Sequence, residues 1–573
     1  MAATGVRLCF AGRRARKAEF SLKYANGNGK ASMKVVILDG YVDEPSNFGV
    51  PPYISPYPRY VAGAVHDAGH DWEYVTIDRV RAGASPRGDL LVVLSGPIVP
   101  GKYLRSLPIS EREIVRHARA FEGPRVFGGP LARFRYYDEA LVEPFDWVAL
   151  RDIDTAVFDW LRTGEWTHRD RTVEEWDRWA LLGADVIRAH PDFPEPLTVE
   201  LDTSKGCVRY VNKGCSFCIE PMYGKPKFRP VDGVVAEVRR LAELGAVNFR
   251  LGGQADFFSY QAIGLGSSPT PQINVGAIRR LLEGIRAAAP DLKVLHTDNG
   301  DPAMMIAHPE EAIESMRDLV RLSTPGTLLS FGLESADPRV TEANNLNIDA
   351  DGCLEAIRMV NAVGRERGEN GMPRLLPGLN FVAGLDGETK KTFELNLAFL
   401  KRLLEEDLWV RRINIRQVRP VRREFEPTGL YREFRRFKEA VRTGIDHEML
   451  QRVVPEGTVL RDIFLELQDG HVAYGRQIGT YPILVGLPYD APLNRFVDVR
   501  VTSHGQRSLT AVEYPLDVNR APLAAISALP GIGAKRAARI VRARPFASLP
   551  AFAASLDDPA VADRVAPFLR LAA

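Results

Sequence analysis

Short apolar runs alternate with amphipathic stretches along most of this chain. From Met33 the runs are M-K-V-V-I-L-D-G, W-E-Y-V-T-I-D, D-L-L-V-V-L-S-G, P-R-V-F-G-G-P and D-W-V-A-L, with a helix near Arg59 to Ala68. Aliphatic and β-branched runs bounded by glycine and proline predict strands of an open α/β domain. A second series starts with L-T-V-E-L-D-T-S (Leu197 to Ser204) and a helical segment, Val231 to Leu244, apolar at roughly every third or fourth position. It continues through N-F-R-L-G-G-Q (Asn248 to Gln254), K-V-L-H-T-D-N (Lys293 to Asn299), L-L-S-F-G-L-E-S (Leu328 to Ser335), Leu376 to Thr389 and Arg411 to Pro420. Six strands separated by helices predict a parallel sheet, with ligand sites at the carboxyl ends of the strands. Gly457 to Thr502 reads as short strands with turns at Asp469-Gly470 and Gly505, and Leu516 to Arg544 as two helices around P-G-I-G.

At 573 residues several domains are expected. The divisions read from the pattern are a disordered extension, 1–32; an N-terminal α/β domain, 33–165; a linker, 166–195; the six-strand core, 196–445; a small β-barrel, 446–514; and a helical hairpin domain, 515–573. With 75 basic and 73 acidic residues, no global field selects the partner. The absence of a membrane-spanning apolar run and of a secretory signal pattern points to a cytoplasmic protein without a membrane partner.

Cysteine use changes the picture. Three of the five cysteines, Cys207, Cys215 and Cys218, fall within twelve residues in T-S-K-G-C-V-R-Y-V-N-K-G-C-S-F-C. So few cysteines provide no disulfide framework, and a local trio points to a metal site. Structural zinc normally takes four protein ligands, whereas three thiolates suit an iron–sulfur cluster with one open iron. The alternative is three small buried hydrophobes on a core strand. Glycines directly before Cys207 and Cys215 argue for an irregular loop instead.

These residues resemble the radical S-adenosylmethionine (SAM) superfamily, whose loop after the first barrel strand carries C-x3-C-x-aromatic-C. Phe217 stands at the aromatic position. Seven residues, not three, separate the first two cysteines here, an insertion (Val208 to Lys213) that can be looped out. The resemblance implies a 4Fe-4S cluster on Cys207, Cys215 and Cys218, with SAM on its open iron. It assigns Gly252, Gly253 and Gln254 to the SAM amino group, Gln254 replacing the family's acid, and Glu334 and Ser335 to the SAM ribose and carboxylate. Helix capping by Ser335 or Asp337 is the plainer reading of G-L-E-S and is compatible with that role. The implied fold class is α/β: a partial (β/α)6 radical SAM barrel with an N-terminal Rossmann-like domain, a small β-barrel and a C-terminal helix-hairpin-helix.

The N-terminal domain resembles those of cobalamin-dependent members and of the methylthiotransferases. The cobalamin motif D-x-H-x-x-G is absent and the domain has no cysteine, so weak or absent cobalamin binding and no second cluster are expected. Cys9 is expected to be idle and Cys353 to be a packing residue. The small barrel resembles a TRAM module, an RNA-binding barrel, with Arg461, Tyr474 and Arg476 as candidate contacts. In the hairpin, Gly531 and Gly533 permit a tight turn ahead of a helix carrying Lys535, Arg536, Arg539 and Arg542. Free amides and the helix dipole there suit a phosphate.

The module order resembles archaeal-type radical SAM proteins with a C-terminal helix-hairpin-helix. It implies an enzyme that cleaves SAM to a 5′-deoxyadenosyl radical, with RNA, above all tRNA, as substrate and an electron-donor protein as partner. No catalytic residue or transferred group is legible. The alternatives are a radical enzyme acting on a small molecule or protein, and a nucleic-acid-binding protein with a structural cluster.

Overall fold

The structure, a computed structural model, describes residues 32–43, 48–96, 103–134 and 137–571. Cys9 and the expected extension, apart from Ser32, lie outside the described residues. The chain forms two compact units divided between Phe193 and Pro194.

The first unit is built on five parallel strands: β1 (Lys34–Asp39), β2 (Asp71–Thr76), β3 (Leu90–Leu94), β4 (Arg125–Gly128) and β5 (Trp147–Val148). Their order is β2-β1-β3-β4-β5. β1 and β3 are buried on both faces, which is why their sequences are continuous apolar runs and do not alternate. Asp39, ending β1, accepts hydrogen bonds from the Tyr74 hydroxyl (2.8 Å) and the Tyr41 amide (2.8 Å), and burial lifts its carboxyl to about 6.

Residues 166–195 are not the linker expected from sequence. All but the last two belong to the first unit, where a helix (Val173–Leu182) packs on another (Tyr57–Asp67) and buries Trp176 and Trp179. A capping box starts it: the Thr172 hydroxyl accepts from the Glu175 amide (3.1 Å), and Glu175 accepts from the Thr172 amide (2.9 Å). Two tryptophans three residues apart in an otherwise polar stretch were the signal for one buried helix face.

The core of the second unit is built on six strands, β6 (Thr198–Leu201), β7 (Asn248–Leu251), β8 (Val294–Thr297), β9 (Thr327–Glu334), β10 (Leu375–Ala383) and β11 (Arg412–Gln417). β6, β7 and β8 pair in parallel, as do β9, β10 and β11. The two sets join through a parallel bridge between Asn299 and Ser330 and a bond from the Gly300 amide to the Ser330 carbonyl (3.1 Å). Amphipathic helices connect successive strands, α1 (Val231–Glu243), α2 (Val275–Ala288), α3 (Pro309–Leu322), α4 (Ala350–Gly364) and α5 (Lys390–Glu405). Cys353 is fully buried on α4, in the packing position expected of it. This is the six-strand parallel α/β core expected from the sequence, with the carboxyl-terminal ends of the paired strands on one side.

Beyond the core, β12 (Val459–Asp469), β13 (Val472–Gln477), β14 (Leu484–Leu487), β15 (Arg495–His504) and β16 (Ser508–Glu513) close into a barrel in the order β12-β13-β14-β16-β15. The helices α6 (Leu523–Ser527) and α7 (Ala534–Ala543) follow, flanking the P-G-I-G turn. Among the described residues no helix is long and apolar enough to cross a membrane.

Candidate metal centre

The three cysteines sit on the loop that leaves the carboxyl end of β6. The seven-residue spacer is exposed at Val211, Asn212 and Lys213 but buried where it leaves Cys207. It winds into a 3-10 turn (Val208–Asn212) with Val208 and Arg209 buried. Asn345, after the short helix (Pro338–Ala343) that follows β9, clamps the spacer. Its side-chain amide donates to the carbonyls of Asn212 (3.0 Å) and Gly214 (2.9 Å). Its own carbonyls accept from Arg209, at 2.8 Å on the backbone and 3.2 Å on the side chain. Arg422, after β11, donates to the carbonyls of Lys213 (2.7 Å), Cys215 (2.7 Å) and Cys218 (3.3 Å). The loop is thus fixed from two sides by core elements.

Burial pushes the Cys207 thiol up to about 12 and that of Cys215 to about 11, and holds Cys218 well above the ordinary range. Like-charge neighbours add to this, Cys215 acting on Cys207 and both of them on Cys218. A cationic centre relieves all of this at once, because metal binding replaces the thiol protons. Among the described residues no three His, Cys, Asp or Glu side chains come close enough to share one metal ion. A four-iron cluster, which spreads its sulfur ligands over several metals, makes no such demand. Phe217 and Cys215 pack on an apolar patch of Val340, Leu346 and Leu385, which shields this side of the centre.

At the neighbouring strand ends, Gly252 donates its amide to the Leu201 carbonyl (3.1 Å). The Gln254 side chain is already committed: its oxygen accepts from Thr203 (2.7 Å) and its nitrogen donates to Thr297 (3.0 Å), tying β6, β7 and β8 together. Two carboxyl groups are less satisfied. Glu334, at a bulge in β9 with φ of 61°, is half-buried, has a buried Oε2 without a hydrogen-bond partner, and is lifted to about 8 by desolvation against the lowering pull of Arg416. A Cβ at Gly332 would stand 2.8 Å from Glu334 Oε1, so glycine there leaves room for the carboxyl. Asp256 likewise has a buried, unpartnered Oδ2 and is raised to about 8, chiefly by desolvation, with Asp301 adding to it. Ser335 is buried and its hydroxyl accepts from the Asp337 amide (3.2 Å), while Asp337 caps the next helix by accepting from the Arg339 amide (3.1 Å). Two carboxyls, each with a buried, unpartnered oxygen, suit a cationic ligand with several donors, such as SAM.

Sequence reasoning missed Arg209, Asp256 and Asn345. Asp256 stands two residues after Gln254 and was within reach of the motif, whereas Arg416 belongs to the basic strip that the sequence already showed on the sixth strand. Nothing in the sequence pointed to Asn345.

Deeper in the sheet, Arg250 makes a two-pronged bond to Glu200 (2.9 and 2.7 Å) and a further one to Asp298, all three fully buried. The β13–β14 loop of the small barrel completes this cluster. Thr480 accepts from Arg250 Nε (3.1 Å), and the Arg412 guanidinium lies 3.6 Å from the centre of the Tyr481 ring. In the small barrel itself, Arg461 pairs with Asp498 (2.8 Å), Arg476 with Glu466 (2.6 Å), and Tyr474 lies on β13.

In the C-terminal hairpin, Gly531 takes a φ of 77° and a Cβ on Gly533 would meet nothing within 4 Å, so the start of α7 is open. Lys535, Arg539 and Arg542 line one groove along α7. Arg536 turns away from it, donating to the Gly531 carbonyl (2.8 Å) and to Asp557 (2.6 Å). This residue, grouped with the phosphate contacts from sequence, is held by the hairpin itself.

The radical SAM superfamily model matches residues 203–400, which span the cysteine loop and most of the six-strand core. Uncharacterised proteins of Methanocaldococcus jannaschii and Archaeoglobus fulgidus are each 40% identical to this chain. The first covers 83% of the chain and 92% of its own length, the second 87% and 93%. A tRNA-2-methylthio-N(6)-dimethylallyladenosine synthase of Neisseria meningitidis is 28% identical over 34% of the chain and 39% of its own length. Among solved structures, the radical SAM methyltransferase TsrM of Kitasatospora setae, with cobalamin and a 4Fe-4S cluster bound, matches 67% of this chain and 72% of its own. Its TM-score is 0.44 and its identity 15%. The chain belongs to the radical SAM superfamily and is an enzyme of it.

Proposed function

We propose that Cys207, Cys215 and Cys218 hold the family's 4Fe-4S cluster and that the neighbouring strand ends hold SAM, for the modification of a nucleotide in RNA, above all tRNA. When bound, the cluster supplies the electron that cleaves SAM to the 5′-deoxyadenosyl radical. The chain's own groups do the rest. Phe217 shields the centre, and Gly252 and Gly253 let the backbone come close to the ligand. Glu334 and Asp256 each offer a buried oxygen to SAM donors. Ser335 and Gln254 act by holding the strand ends, since their side chains are already bonded to neighbours.

The observation that carries the RNA reading is the open, basic groove of Lys535, Arg539 and Arg542 beside the start of α7. A helix start with unpaired amides and nearby cations takes phosphate without reading bases. The partial likeness to a tRNA-modifying enzyme supports the same substrate class. A second reading, a small anionic substrate, draws on Arg412 and Arg416 on the last core strand. The test is the nucleoside digest of tRNA from a strain with and without the gene: one modified nucleoside disappears if the RNA reading holds, and identical digests favour the small substrate.

A further inference from the structure

The seven-residue spacer does something a three-residue one cannot: it returns a charged side chain to the cysteine it precedes. Arg209 is buried and donates through Nη1 to Cys215 Sγ at 3.0 Å, while Nη2 is held by both carbonyls of Asn345. Its backbone amide also donates to Cys207 Sγ (3.4 Å). The guanidinium is therefore anchored on its far side and aimed at a sulfur. Among the described residues no carboxylate is hydrogen-bonded or ion-paired to Arg209; its charge also acts on Asp301 at longer range, but its direct bonds are to Cys215 and Asn345. Three residues between two ligating cysteines leave no chain for a turn and an inward arginine; seven do.

We propose that Arg209 is a positioning residue that raises the reduction potential of the cluster held by Cys207, Cys215 and Cys218. This rests on the cluster assigned above. Reduction adds one electron from an external donor to the cluster and breaks no bond. A charge-assisted N–H to a ligand sulfur stabilises the more negative, reduced state more than the oxidised one, and does so strongly where water is excluded. Sequence spacing supplies the arginine, the 3-10 turn buries it, and Asn345 fixes it.

The experiment is a spectroscopic redox titration of the full-length, anaerobically reconstituted protein without SAM, with iron content measured on each sample. The variants are Arg209→Gln, Arg209→Lys and Asn345→Ala. At a fixed solution potential the reduced-to-oxidised ratio should fall about tenfold in Arg209→Gln, equivalent to about 59 mV for one electron. Lysine should restore part of it. Asn345→Ala, which frees the guanidinium but leaves every cysteine in place, should lower the ratio in the same direction. It decides the matter if Arg209→Gln fails to hold a cluster. Equal potentials in fully loaded wild type and variants would overturn the inference and leave Arg209 a bracing residue. A wild-type protein that binds no cluster would instead remove the cluster assignment on which the inference rests.

Discussion

Tyr481, carried by the small barrel, donates its hydroxyl to Asp298 of the core at 3.3 Å, so the barrel domain supplies part of the core's interior. Burial lifts the phenol to about 12, which keeps it a donor. The fit is close: Gly479, with a φ of 150°, lies so near His296 that a Cβ would stand 2.3 Å from the imidazole ring. Tyr481→Phe should cost about 1 kcal/mol by losing one hydrogen bond, and Tyr481→Ala about 3 kcal/mol or more by also losing the stack on Arg412. Denaturant midpoints of the full-length proteins measure both. Deleting residues 515–573 leaves this joint intact and should preserve SAM cleavage, whereas deleting from 455 onward should not.

Arg250 holds two buried carboxylates, Glu200 and Asp298. Removing it leaves both buried carboxyl groups without that partner, Glu200 already being lifted to about 8 by burial, so Arg250→Met should destabilise the protein by about 3–5 kcal/mol. Replacing all three by apolar residues should cost less than that single change. A loss below 1 kcal/mol for Arg250→Met would mean that the cluster is solvated.

The raised carboxyls set a pH dependence. Glu334 titrates at about 8 in the fold against an ordinary 4.5, so the folded state binds the extra proton between those values. Stability without ligand should therefore fall as pH rises from about 5 to 8, and Glu334→Gln should remove part of that slope. A cationic ligand favours the ionised carboxylate. SAM affinity should accordingly rise over the same range, and Glu334→Gln should weaken it about tenfold and flatten the rise, as read by calorimetry in two buffers of different ionisation enthalpy.

Much of the core was legible. Six apolar runs with helical stretches between them specify a parallel sheet, and the cysteine spacing singles out one loop. The less legible parts depend on long-range packing. Residues 166–195 read as polar connection because only one face of their helix is buried, and the spacer's inward Arg209 depends on Asn345, more than a hundred residues away. Gln254 stands where a ligand contact was expected, but its bonds to Thr203 and Thr297 appear only once three strands meet. Arg536 turned inward because Asp557, on the far side of the hairpin, pairs with it.

That last difference moves the RNA prediction to other residues. Lys535→Glu with Arg539→Glu should weaken RNA binding and lower its salt dependence, since each lost phosphate contact reduces the slope by about 0.7–0.9. Arg536→Ala should act mainly on hairpin stability and leave the slope near wild type. Equal slopes for the double variant and wild type would make the hairpin a protein-docking element.

The most direct test of the central claim is to reconstitute the full chain anaerobically, measure iron, and assay 5′-deoxyadenosine after reduction with SAM present. The account expects about four irons per chain, 5′-deoxyadenosine in the wild type, and loss of both in Cys215→Ala and in Cys218→Ala. A full cluster and undiminished cleavage in either variant would contradict it.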